Sequence, residues 1–235
     1  MQKKSSFCSG TILEILKEET EKELLSYEDK LIALGVDTKK IFFVDMVEGC
    51  EEAVFQRDHW ISPPIEIVRN ESRVKIVGRL EGLSPLGLLH HGEGLFWDWM
   101  RIFPKLLIYC HLPFFEKGDL LFSKAGKKKK FSITDPLFHL SRYLDYYEKA
   151  KKAPSPLIRE WAQLFFGTEQ AWDDVISKTN FMSRSEDPYL HRLFFLSEKP
   201  KAASLHKQWK DVVCQAFAPI LPLCLEKRSE VKDVL

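Results

Sequence analysis

Glu81, His90, His91 and Glu93 come nearest, by residue type and spacing, to a reactive centre in this chain. A carboxylate on one strand, with an acid-x-Lys pair on the next, can hold Mg²⁺, polarise a phosphate and activate a water, the lysine positioning that water. In GRLEG, residues 78–82, Glu81 stands where a first carboxylate would be needed. The next apolar run, LGLLHHG at 86–92, contains neither an acid nor a lysine. One carboxylate is a poor Mg²⁺ site, because this hard cation takes several oxygen ligands. Glu81 with His90 is the alternative metal site, and Glu93 could complete one with either histidine, but adjacent residues of a strand face opposite ways, so His90 and His91 do not readily share one ion. Otherwise these are solvated strand-end residues. The remaining histidines show no HExxH spacing, and there is no P-loop, Rossmann fingerprint or nucleophile elbow around Ser5, Ser6 or Ser9.

A second kind of chemistry lies in Lys124, Lys127, Lys128, Lys129 and Lys130, flanked by Phe122 and Phe131. A cluster of ammonium groups meets a phosphate backbone with sequence-independent, salt-sensitive affinity. Equally, lysines in a solvated turn protect a sheet edge from strand addition. Both readings stay open on the sequence.

The elements that must carry these residues follow from periodicity. Residues 74–80 alternate as a strand, Gly82, Ser84 and Pro85 read as a turn, and 86–90 as a second short strand closed by Gly92-Glu93-Gly94. From Leu95 the spacing becomes helical, with Phe96, Trp99, Met100, Phe103, Leu106 and Leu107 on one side and Pro104 as a kink point. Upstream, Thr11 and Glu14 form a capping-box pattern for a helix that Gly35 stops. Residues 41–44 read as a strand or loop, 48–57 as one or two helical turns, and 65–68 as a strand pairing with 74–80 through a turn at 69–72. Gly78 and Gly87 interrupt apolar strands, which predicts unusual backbone or close packing at both.

Downstream, 120–124 and 131–133 predict a hairpin whose tip, 125–130, holds the lysine run. Thr134 or Asp135 then caps a helix with Pro136 in its first turn and Leu137, Leu140, Tyr143, Leu144 and Tyr147 on its apolar face. Further helices are expected at 157–166, 169–178 and 202–219, and a polar tail beyond. The aromatic residues, Trp97, Trp161, Phe165, Trp172 and Trp209 among them, read as core.

Composition sets wider bounds. Hydrophobic residues make up 45% of the 235-residue chain and charged residues 29%, with a net charge of +1, so any nucleic-acid contact must come from a local patch. Five cysteines without CxxC spacing indicate reduced thiols, neither a disulfide frame nor a zinc site. With no apolar leader and no membrane-length run, the expectation is a cytoplasmic protein with no membrane partner.

The block GRLEGLSPLGLL followed by FWDWMRIFPKLLIYC resembles the C-terminal region of the exodeoxyribonuclease V gamma chain, the RecC subunit family. Three family elements correspond to Gly78-Arg79-Leu80, Gly87-Leu88-Leu89 and the helix from Phe96 to Cys110. The stretch from Tyr143 to Pro156, then Asp187-Pro188-Tyr189 with Arg192-Leu193-Phe194, and Ala218-Pro219-Ile220-Leu221 are similar to later family segments. The resemblance spans roughly residues 40–222 of a much longer family subunit. It implies an α/β, restriction-endonuclease-like (PD-(D/E)xK-type) core: a small mixed sheet flanked by helices, catalytically degenerate, with a helical C-terminal part. The implied organisation is a helical segment at 1–40, the nuclease-like domain at 41–222 and a polar tail at 223–235. The implied role is non-catalytic DNA guiding and subunit docking in a RecBCD-like helicase–nuclease complex for double-strand-break repair and recombination. Its partners would be RecB- and RecD-like subunits and double-stranded DNA ends, with Mg²⁺ and ATP acting in those subunits and no cofactor here. Two other readings remain: a divergent Mg²⁺-dependent DNA nuclease using Glu81, and a protein-interaction module without DNA contact.

Overall fold

The computed structural model describes residues 10–69, 72–113, 117–153, 155, 157, 166 and 202–222, with residues 10–19 and 202–206 as backbone. The architecture is α/β, with a mixed seven-stranded sheet, a separate two-stranded sheet and four α-helices among the described residues. The chain divides into two compact units. Unit 1 comprises Met1–Pro63, Gly78–Glu93 and Glu116–Phe131, and unit 2 comprises Pro64–Val77, Gly94–Phe115 and Ser132–Leu235. No helix among the described residues is long and apolar enough to cross a membrane.

Unit 1 holds helix α1 (Gly10–Ala33) and strands β1 (Phe42–Met46), β2 (Val54–Gln56), β3 (His59–Ser62), β6 (Gly78–Ser84), β7 (Gly87–His90), β8 (Asp119–Phe122) and β9 (Lys127–Lys129). Across the sheet they run β2-β3-β1-β6-β7-β8-β9. β1 is parallel to β3 and antiparallel to β6, β6 is antiparallel to β7, β7 parallel to β8, and both outer strands are antiparallel to their neighbours. Leu80, Leu83, Leu88, Leu120 and Phe122 are fully buried on the inner strands. Each buried side chain of this size contributes about 2 kcal/mol of transfer free energy. Leu31 of α1, with Leu34 and Val36 just after the helix, packs against Leu121, and Tyr27, Ile41 and Leu89 border that cluster.

Unit 2 holds the hairpin β4 (Ile65–Arg69) and β5 (Ser72–Ile76) and helices α2 (Phe96–His111), α3 (Pro136–Lys152) and α4 (Ala202–Phe217). The Asp98 carboxylate accepts from the backbone amides of Gly94 and Leu95 at 3.0 and 3.1 Å and so anchors the start of α2. The expected stripe is present: Trp99, Met100, Phe103, Leu106 and Leu107 are buried, and the helix runs on past Pro104 to His111. Asp135 caps α3 by accepting from the Phe138 amide at 3.1 Å, with Pro136 at the first position. An aromatic cluster joins the three helices: Phe103, Tyr143, Tyr146, Trp209 and Phe217 meet at ring-centre distances of 5.3–6.3 Å. Burial there, with Tyr146 and Tyr147 nearby, pushes the Tyr143 hydroxyl up to about 12. Arg69, at the end of β4, ties that hairpin to α3 through Asp145 and, at 2.9 Å, Glu148.

Several expectations are corrected. Residues 48–57 are not helical; a turn leads into β2, because Val54 and Phe55 pair across to Ile61 and Trp60. The run 74–80 is not one strand. It ends at Ile76, in the two-stranded sheet, and resumes at Gly78 in the seven-stranded one. Gly78 has φ +128°, the change of direction that an alternating apolar pattern cannot announce. The break expected at Gly82 and Ser84 falls later, since β6 continues to Ser84 and only Pro85 and Leu86 turn. Residues 131–133 are not a strand. On α3 it is Tyr146 that enters the aromatic cluster, whereas Tyr147 is 50% exposed. The helices expected at 157–166 and 169–178, the Asp187-Pro188-Tyr189 and Arg192-Leu193-Phe194 segments and the tail at 223–235 lie largely or wholly outside the described residues.

Candidate functional site

The residues singled out for chemistry all belong to unit 1. Glu81 is exposed on β6, opposite an irregularity in its pairing with β1. Two residues before it, Arg79 reaches across to β1 and donates to Asp45 through Nε and Nη2 at 2.7 and 2.9 Å. Its guanidinium lies 4.0 Å above the Phe43 ring, and the His59 ring stacks on Phe43 at 4.6 Å and 11°. His59 in turn meets the Asp58 carboxylate through Nδ1 at 3.1 Å. A ladder of alternating aromatic and charged groups therefore crosses three adjacent strands, β3, β1 and β6.

Electrostatics follow the geometry. Hydrogen bonding from Arg79, reinforced by its charge, holds the Asp45 carboxyl below its ordinary value despite some desolvation. Asp45, with Glu81 as a weaker contributor, raises Arg79. The carboxylate nearest in register to Arg79 is therefore already occupied by a resident cation. No signal in the sequence marks this pairing, because Asp45 and Arg79 stand 34 residues apart.

β7 supplies no acid or lysine, as its sequence GLLH requires. The two histidines diverge as strand alternation predicts: His90 meets Phe122 edge-on at 5.9 Å, and His91, just past the strand, meets Tyr27 of α1 at 5.4 Å. Glu93 pairs with Lys124 at 3.1 Å. Among the described residues, no three His, Cys, Asp or Glu side chains gather into a metal-ligating group.

The lysine run is differently placed from the expected tip. Residues 123–126 form the turn, and Lys127, Lys128 and Lys129 are β9 itself, registered against Phe122, Leu121 and Leu120. Strand alternation splits them: Lys127 and Lys129 share one face, and Lys128 takes the other. Lys128 lies beside Gly35, just beyond the last turn of α1, where a Cβ added to the glycine would stand 4.0 Å from Nζ. A cation there complements the negative end of the helix dipole. All of Lys127, Lys128, Lys129 and Lys130 are exposed, and none has a carboxylate partner among the described residues. Lys124 differs, being held by Glu93.

Comparison with known proteins finds no matching family model, no matching curated protein and no matching solved structure.

Proposed function

We propose that the chain is a non-catalytic, DNA-contacting and subunit-docking domain on a restriction-endonuclease-type core, akin to the C-terminal region of the exodeoxyribonuclease V gamma chain. On this reading it works with RecB- and RecD-like subunits on double-stranded DNA ends. The observation that carries the DNA contact is the row of four exposed lysines on and after β9, without a carboxylate partner among the described residues. Alternate lysines of an extended strand stand about 6.8 Å apart, a spacing at which one edge can meet successive phosphates of one strand. The seven-stranded sheet is compatible with such a core: β1, β6 and β7 are successive antiparallel neighbours across it, and β8 runs parallel to β7.

Lack of catalysis is supported by two features of the inner strands. β7 has no acid-x-Lys pair, and Asp45, the carboxylate on the strand next to Glu81, is held by Arg79. A divalent ion would have to displace that guanidinium to gain a second carboxylate.

Binding of a labelled linear duplex, followed by fluorescence anisotropy at several salt concentrations, tests the reading. Affinity should fall steeply with salt, and the duplex should remain intact in Mg²⁺ or Mn²⁺. Absence of binding at low salt would overturn the DNA contact. Metal-dependent cleavage that disappears in Glu81→Ala would overturn the non-catalytic assignment.

A further inference from the structure

The three lysines of β9 do not share one environment. Lys128 stands in register with Leu121, which packs with Leu31 of α1 and with Leu34 and Val36 just after it. Its ammonium lies by Gly35, 4.0 Å from where an added Cβ would stand, at the carboxyl end of α1. Lys128 therefore already faces the negative end of a helix dipole. The helix on that face is also acidic: over residues 20–33, Glu21, Glu23, Glu28 and Asp29 are exposed, against Lys22 and Lys30. A polyanion approaching from the α1 face meets that opposing field.

Lys127 and Lys129 take the opposite face, in register with Phe122 and Leu120. Those two neighbours are apolar and wholly buried, so they put no acid beside either ammonium. Neither lysine has a carboxylate partner among the described residues, and both are exposed. Two strand positions apart, their backbones are separated by about 6.8 Å. Resting on the DNA contact proposed above, we infer that phosphates meet β9 from one face only. Lys127 and Lys129 receive them there, on the side of the sheet that carries Leu120 and Phe122, while Lys128 serves the end of α1.

Single serine variants of the full chain, titrated against a fluorescent linear duplex at several salt concentrations, separate the two faces. Lys127→Ser and Lys129→Ser should each reduce the slope of log affinity against log salt by about 0.9, one phosphate contact apiece. Lys128→Ser should keep the wild-type slope. Acetylation of surface lysines on the wild type, read by mass spectrometry with and without the duplex, gives a second readout that no folding defect can confuse. The duplex should protect Lys127 and Lys129 and leave Lys128 as reactive as before. Equal losses of slope at all three positions, unchanged slopes at 127 and 129, or protection of Lys128 would overturn the one-faced contact. Each of those results leaves salt-dependent DNA binding itself in place. A wild type that binds no duplex at low salt overturns both.

Discussion

β9 and β2 close the same sheet at its two ends, each with three residues antiparallel to its neighbour, yet one is Lys-Lys-Lys and the other Val-Phe-Gln. Backbone pairing does not distinguish them; the side chains do. Three adjacent ammonium groups repel another strand of the same kind and attract a polyanion, whereas Val54 and Phe55 leave apolar surface for another chain to cover. The two edges of one sheet thus differ in chemistry, one charged and one bare. The ladder of Arg79, Phe43 and His59 lies between those edges and is closed on itself, since Asp45 and Asp58 occupy its charged groups.

The largest expected effect breaks the comparison at its base. Gly87 has φ +138°, and a Cβ there would lie 1.8 Å from the Asp119 carbonyl oxygen, at the point where β7 meets β8. Gly87→Ala should therefore destabilise the protein by more than about 3 kcal/mol, measured by urea denaturation. Hydrogen exchange should rise first in β8 and β9, the lysine side, before it rises in β1 and β3.

A smaller effect separates the lysines from one another. Lys128 stands at the C-terminal end of α1, so Lys128→Glu should lower stability by about 0.3–1 kcal/mol. Lys127→Glu and Lys129→Glu, on the other face, should stay within about 0.5 kcal/mol of wild type. Equal effects at all three would remove the helix-dipole role.

The smallest effect concerns pH and the ladder between the edges. Because the folded-state pKa of Asp45 lies below its ordinary 3.8, the folded state binds its proton less readily than the unfolded chain does. The stability it contributes is complete above the ordinary carboxylate range and is lost as pH falls through the lowered value. Asp45→Asn should flatten the acid limb of a denaturation-versus-pH curve relative to wild type. An unchanged limb would mean that Arg79 does not hold Asp45 in solution.

Much of the fold was legible where one segment decides its own structure. The helical spacing from Phe96 to Leu107, the Asp135-Pro136 start of α3, the pairing of 65–68 with the strand after it, though with a shorter turn than the expected 69–72, and the special backbone at Gly78 and Gly87 all follow from local pattern. The misreadings share a cause. β2 and β3 are three and four residues long, too short for a period to register, and each is stabilised by a partner outside its own segment. The apolar alternation through 74–80 is the same on both sides of Gly78, so nothing local reveals that the chain changes sheets there. The lysine run reads as a loop because lysine disfavours strands, and only pairing with Leu120, Leu121 and Phe122 overrides that preference. At the candidate site, Glu81 and the lysines could be named from sequence, but Asp45, Phe43 and His59 become neighbours of Arg79 only through strand order.

The difference between the edges is tested most directly by titrating a fluorescent duplex with three proteins at several salt concentrations. These are the wild type, the variant with Ser at 127, 128, 129 and 130, and Phe55→Lys. The lysine variant should bind more weakly whatever the DNA sequence. The slope of log affinity against log salt should be smaller by up to about four phosphate contacts, near 0.9 each. Phe55→Lys, on the other edge, should keep the wild-type slope or steepen it slightly. An unchanged slope in the lysine variant would contradict the account and leave β9 as an edge guarded against other strands, with no DNA on it.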